Sequence, residues 1–312
     1  MTAGRQTTVR EDIALQGYGV HSAGHAHLVI KPAAVNHGII FLRTGLPGGI
    51  QRRIPARYGN VSSTELCTVL GDPGHGAVAT VEHIMAALYG LGVDNALVEI
   101  DGPEVPIMDG SAAAFVEAIR RVGVVSQHAP RRVVRVLRPV SVSKGTAFSE
   151  LLPNDEDGLR FEVSIDFETA VIGQQSMTLE LEPAAFATEV ARARTFGFMR
   201  DVELLWKNGF ALGASLDNTV AIGEERVINP EGLRFDDEFV RHKLLDAVGD
   251  IALAGLHING VFRSHCGGHR LNIAVLRELF SDPANFEIVD DREVVTSRRV
   301  QMAAAAYAPS LG

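Results

Sequence analysis

His242, Asp246 and Asp250 follow one another at intervals of four residues, with Lys243 beside the first of them. At 3.6 residues per turn, this spacing gathers an imidazole and two carboxylates within an arc of about 80° on one helix face. Such a stripe is most often a solvated polar face. Here Phe239 and Leu253 project into the same arc, above and below the stripe, so the face is expected to turn away from bulk water. Buried acids and imidazoles need a compensating charge, and a metal ion supplies one. A His and an Asp at i and i+4 can both reach a tetrahedral Zn²⁺. His242 and Asp246 are therefore candidate ligands.

A third ligand should be another histidine on a rigid element. His83 stands out among the eleven histidines because Glu82 precedes it in the first turn of a predicted helix. The plain alternative is a helix-dipole carboxylate next to a half-buried histidine. The functional alternative makes His83 a zinc ligand and places Glu82 where a carboxylate can take a proton from an activated water. The HExxH pattern of zinc proteases is absent, so that class is not supported. His269 follows Cys266, Gly267 and Gly268. Amide hydrolysis needs an acid to protonate the leaving amine, and His269 is the candidate, with Asp250 to orient it. Thr195 offers a hydroxyl for a developing oxyanion, or is an ordinary turn hydroxyl. His21, His25 and His27 lie in an early strand–turn region without closed ligand geometry and are expected at the surface or against a substrate.

Hydrophobic patterning supplies the elements that must hold these side chains. Residues 26–32 and 38–43 read as strands. Thr80 is expected to cap a helix carrying Val81, Ile84, Ala87, Leu88 and Leu91 at helical spacing, stopped by Gly92. A strand follows at 96–100, then a helix capped by Ser111 and ended by Gly123. Residues 126–130 read as a linker. Beyond them come strands near 132–138, 146–152, 159–167 and 176–182, a long helix over roughly 236–254, a strand near 257–263 and a helix from about 269. The long helix opens on Asp236, Asp237 and Glu238, where the dipole favours acids. Residues 196–222, rich in Phe, Leu and Gly, read as an insertion with a small fold of its own. The pattern of the first half recurs in the second without a residue-level repeat, which predicts an α+β fold of two domains, sheet against helix.

The chain has 312 residues, 46% of them hydrophobic, enough for two such cores. Its net charge is −9, and the largest basic cluster is Arg131, Arg132, Arg135 and Arg138, which argues against nucleic acid as a partner. Two cysteines far apart suit free thiols in a reducing compartment. The first residues contain no apolar signal segment. No run approaches the roughly 18 apolar residues of a membrane span. A cytoplasmic protein without stable membrane insertion is expected.

Longer motifs sharpen this. Thr80-Val81-Glu82-His83, Gly90-Leu91-Gly92-Val93-Asp94-Asn95 and the run from Pro103 to Ser111, with residues 192–201 and 232–250, occur in that order. In these motifs the chain resembles the UDP-3-O-acyl-N-acetylglucosamine deacetylases, zinc-dependent enzymes of lipid A biosynthesis, from about Arg10 to the helix after His269. The resemblance implies two α+β domains of similar topology, residues 1–127 and 128–312, with the active site between them. It also implies a small insert in each domain, about 45–76 and 197–223. By it, His83, His242 and Asp246 take the zinc-ligand positions, Glu82 the general-base position and His269 the acid position, with Asp250 behind it. Thr195 matches the hydroxyl near the oxyanion, Lys243 a basic residue near the substrate and Phe167 an aromatic near the nucleotide.

The family's second insert forms a passage for the acyl chain, and Phe196, Phe198, Val202, Ala211, Leu216 and Ala221 are available to line it. The implied partner is the small-molecule substrate, UDP-linked acylated N-acetylglucosamine, and the implied state a monomer. One departure is the loop Ser264-His265-Cys266-Gly267-Gly268, which lacks the basic residue often found there in the family; Arg263, His265 or Arg270 are the possible substitutes. The alternative reading is a zinc amidase acting on another N-acetylated sugar.

Overall fold

The structure, a computed structural model, describes residues 4–291. The first half is built on a five-stranded sheet: β1 (Ile13–Tyr18), β2 (His25–Pro32), β3 (Ile39–Arg43), β4 (Arg52–Pro55) and β5 (Ala96–Ile100). Their order is β1-β2-β5-β3-β4, and only the β3–β5 pair is parallel. Along β2, Ala26, Leu28 and Ile30 are fully buried while His25 and His27 face outward, the alternation of a sheet covered on one side. The inner face shares one core with helices α1 (Glu82–Gly90) and α2 (Ala113–Val122) through Ile84, Leu88, Phe115 and Ile119.

The second half contains β6 (Arg132–Val136), β7 (Val140–Lys144), β8 (Ala147–Leu152), β9 (Leu159–Asp166), β10 (Gln174–Glu180), β11 (His257–His265) and β12 (Phe286–Asp290). Its long helices are α3 (Glu238–Ile251) and α4 (His269–Leu279). Five of these strands run β7-β8-β11-β9-β10, and again only one pair, β9–β11, is parallel. β6 and β12 extend the sheet from the start of β11. Each half therefore follows the same course: two hairpins, a helix, a central strand, a helix. What repeats is the topology and not the residues, which is why the sequence alone shows only a similar pattern.

The two halves meet through α1 and α3. A side chain on Gly249 of α3 would place its Cβ 2.0 Å from the backbone carbonyl oxygen of Glu82, so only glycine permits this crossing. α3 is consequently enclosed, and of its residues only Arg241 and Lys243 are not buried. On another side of the contact Tyr89 stacks on His257 at 4.5 Å, and its hydroxyl accepts a hydrogen bond from the Ile258 N–H. Nearby, Arg131 donates to both carboxylate oxygens of Asp94.

Three local expectations are corrected. Residues 126–130 are not a linker; they belong to the strand Val124–Pro130, which pairs antiparallel with Arg5–Val9 and spans the expected division at 127/128. Thr80 does not cap α1, which begins at Glu82 with Val81 at the cap position and no side-chain cap. Its hydroxyl is given instead to Glu104, 2.9 Å away. At α2, Ala112 occupies the cap position, while Ser111 accepts a hydrogen bond from the Ala113 N–H; Gly123, at φ +86°, ends the helix as expected. Within 45–76, Arg52–Pro55 belongs to the main sheet as β4, and beyond it lies the small pair Val61–Ser63 with Val69–Leu70. Within 197–223, Phe196–Phe198 runs parallel to Val220–Ile222, with the helix Val202–Lys207 between them. The outermost residues of the two expected domains, 1–3 and 292–312, lie outside the described residues. Among the described residues no helix is long and apolar enough to cross a membrane.

Candidate active site

The helix crossing sets the start of α1 against α3, and this gathers the charged residues of both. His83, His242 and Asp246 are all buried, and each offers a ligand atom within 4.8 Å of the other two. Asp246 Oδ1 lies 3.3 Å from His242 Nε2 and 3.7 Å from His83 Nε2. Ligands of a tetrahedral zinc at bond lengths of about 2.0–2.2 Å sit roughly 3.4 Å apart, so this set can close on such an ion with little movement. His242 Nδ1 lies 3.0 Å from the Ala193 carbonyl, to which it donates, leaving the Nε2 lone pair facing His83 and Asp246. Among the described residues His83 has no hydrogen-bond partner on Nδ1, and its ring stands edge-on to His242 at 5.1 Å. Burial pushes the His242 imidazole down to about 4, which keeps it neutral and able to ligate. Burial alone would raise Asp246, yet His242, Lys243 and the contact with His83 hold it well below the usual carboxylate range. Lys243 Nζ reaches Asp246 Oδ2 at 2.8 Å and lies 5.5 Å from the centre of the Phe196 ring.

Glu82 and His269 face each other next to this triad. Glu82 Oε1 is 3.7 Å from His269 Nε2, and its Oε2 accepts from the Thr68 N–H at 3.0 Å. Burial raises the pKa of Glu82, an effect opposed by the neighbouring His269 and His83. His269 Nδ1 lies 2.8 Å from Asp250 Oδ2. Burial on its own would lower the imidazole, but the Asp250 and Glu82 carboxylates outweigh it and raise His269 to about 10. Asp250 is fully buried and also accepts from Thr68 Oγ1 at 2.6 Å and Asn272 Nδ2 at 3.0 Å.

A cavity of about 340 Å³ opens from Glu82, His83 and Thr195 and runs between Phe196, Phe198, Val202, Ala211, Leu216 and Ala221. Phe167 does not line it; the ring packs behind Phe196 and Phe198 at 5.9 and 6.1 Å. At the end of β11, before His269, Arg263 is already held by Glu150 and Glu162, at 3.1 and 2.6 Å, and His265 bonds Ser164 at 2.9 Å. Arg270 is exposed.

His21, expected at the surface or against a substrate, lines the cavity, its Nδ1 accepting from the Ala211 N–H at 3.3 Å. Other residues of the site escaped the sequence reading. The turn of His21 is anchored by Glu104, which accepts from the N–H groups of His21 and Ser22, the Ser22 hydroxyl and the Thr80 hydroxyl. Thr68 and Asn272 grip the acidic residues from behind. Leu66, Thr80 and Ala211, all lining the cavity, have left-handed φ values of +63°, +56° and +55°. Non-glycine residues held this way are costly and gather at functional sites.

Over residues 6–281 the chain matches the model of the UDP-3-O-acyl N-acetylglycosamine deacetylase family. The chain belongs to that family. Among its relatives are proteins from Brucella ovis, Brucella canis and Brucella melitensis, each named UDP-3-O-acyl-N-acetylglucosamine deacetylase. Each is 48% identical to it over 286 residues, which cover 91% of this chain and 98% of the relative. The stretch matched to the deacetylase family contains every residue of the site, from His21 to Asn272. It also contains both helices of the crossing, so the deacetylase match and the geometry fall on the same part of the molecule.

Proposed function

We propose that this chain hydrolyses the N-acetyl amide of UDP-3-O-(3-hydroxyacyl)-N-acetylglucosamine, releasing acetate and leaving the free amine, the committed step of lipid A biosynthesis. One observation carries the reading: the His83, His242 and Asp246 triad, Glu82 and the His269–Asp250 pair meet at one end of an apolar cavity. Two imidazoles and a carboxylate form a donor set that suits zinc. When bound, zinc polarises the amide carbonyl and acidifies water for attack on it.

The chain's own residues supply the rest. Glu82, with one oxygen engaged by Thr68, takes the water's proton on the other. His269, kept protonated by Asp250 and Glu82, gives its proton to the nitrogen as the carbon–nitrogen bond breaks. Thr195 stands at the cavity's polar end as the hydroxyl for the oxyanion, and Lys243 contributes positive charge beside Asp246. The acyl chain occupies the cavity, where each buried CH₂ contributes about 0.8 kcal/mol. Phe167 supports Phe196 and Phe198 from behind and takes the place of an aromatic near the nucleotide. Arg270 takes the diphosphate contact left open by the loop before His269. The chain works as a cytoplasmic monomer on this small molecule.

Acetate release from the acylated UDP-sugar, measured on purified protein, after chelation and after adding back substoichiometric zinc, tests the reading. Activity that disappears and returns with zinc is expected. No activity in folded, zinc-loaded protein would refute it. Equal turnover of an N-acetylated sugar without the acyl chain would favour the broader amidase.

A further inference from the structure

We propose that Thr68, in the first insert, is a positioning residue that sets both proton-handling carboxylates from behind; this deepens the deacetylase reading and rests on it. Thr68 is fully buried, and all three of its polar groups are engaged at the site. Its N–H donates to Glu82 Oε2 at 3.0 Å. Its hydroxyl donates to Asp250 Oδ1 at 2.6 Å, the short distance of a charge-assisted bond. Its carbonyl accepts from the Val81 N–H, immediately before Glu82, at 3.3 Å. Glu82 belongs to α1 in the first half and Asp250 to α3 in the second, so Thr68 ties the two halves together at their acids.

The consequence lies in which oxygens remain. Thr68 takes one oxygen of each carboxylate. The other oxygen of Glu82 faces His269 Nε2 at 3.7 Å, and the other oxygen of Asp250 meets His269 Nδ1 at 2.8 Å. Both carboxylates are thereby held in the rotamers that address the two nitrogens of one imidazole. Without the hydroxyl, Asp250 Oδ1 is left buried and unpaired, and the carboxylate gains by turning away from His269. Partners of this kind behind a reacting group typically matter 10- to 100-fold.

The test compares Thr68→Val, which keeps the shape and the N–H but removes the hydroxyl, with Thr68→Ser, which restores it. Thr8→Val serves as control; Thr8 is another buried threonine whose hydroxyl bonds a backbone carbonyl, that of Asn95, outside the site. For Thr68→Val the expected result is a kcat lower by about 10- to 100-fold, with KM and bound zinc unchanged. Thr68→Ser should recover most of the turnover, and Thr8→Val should lower the melting temperature alone. Wild-type kcat in Thr68→Val, or a Thr68→Ser variant no better than Thr68→Val, would overturn the assignment while leaving the function intact. A loss matched by Thr8→Val would overturn it as well. An inactive wild-type protein would remove the functional reading and this assignment together.

Discussion

His269 has a carboxylate on each side of its ring, Asp250 at Nδ1 and Glu82 at Nε2, while His83 and His242 turn their Nε2 atoms toward Asp246. Two of these imidazoles are pushed in opposite directions, His242 down by burial and His269 up by the carboxylates beside it, as the proposed roles of ligand and acid require. Substitution should separate them. Glu82→Gln is expected to keep bound zinc while kcat falls about 10²- to 10⁴-fold, the usual weight of a positioned acid or base. His83→Ala should lose zinc as well as turnover, and metal analysis beside kinetics reads the difference. The residues gathered here were legible as a group where they shared a local period or lay side by side: His242, Asp246 and Asp250 on one helix face, Glu82 and His83 in one turn. Thr68 and Glu104 were not. Thr68 lies in the apolar run Leu66-Cys67-Thr68-Val69-Leu70, and its partners Glu82 and Asp250 are 14 and 182 residues away. Only the folded chain gives its hydroxyl an address.

Among the elements, α1 and α3 determine whether the site exists. Gly249→Ala would put a methyl group where the Glu82 carbonyl now lies, 2.0 Å from the new Cβ. The helices must then move apart, at a cost of about 1–3 kcal/mol for overpacking and more where backbone cannot yield. We expect a lower melting temperature and a loss of turnover larger than the stability loss accounts for, because Glu82 would shift relative to Asp246 and His269. Wild-type turnover in a stable Gly249→Ala variant would show that the crossing tolerates displacement. Most elements were readable from period, since β2, β9 and α3 each present a clean apolar face or an apolar surround. The strand Val124–Pro130 was not. It contains Ser126, Gln127 and Pro130, and it is a strand only because Arg5–Val9, far off in sequence, supplies its hydrogen bonds. At Thr80, an expected cap was lost to tertiary structure, because Glu104 offers its hydroxyl a buried charge.

At the scale of the whole molecule, two copies of one topology are held together by the helix crossing and by the cluster of Tyr89, His257, Asp94 and Arg131. Burial, with the nearby Arg131 adding to it and Asp94 opposing it, lowers His257 from 6.5 to about 4. Below pH 6.5 the unfolded chain takes up a proton that the folded protein refuses until about pH 4, so stability is lost as pH falls through that window. The loss is on the order of 3 kcal/mol. Thermal melts between pH 7 and 4 should show this decline, and His257→Gln should flatten it. An equally steep decline in that variant would place the acid sensitivity elsewhere. The twofold plan was visible in the sequence as a recurring order of strands and helices; the face each half turns to the other came only from the family resemblance, and the close approach at Gly249 that allows it was not visible.

The helix crossing also dictates an order of events during synthesis. Of the three proposed zinc ligands, His83 comes from α1, and His242 and Asp246 come from α3. As the chain leaves the ribosome, the first half can complete its sheet while His83 and Glu82 still lack every partner they have across the crossing. The ion can therefore be captured only late, when α3 has emerged and docked, and capture itself then reports that docking. A nascent chain arrested before Asp246 should hold no zinc at this site, and one released beyond α3 should hold it.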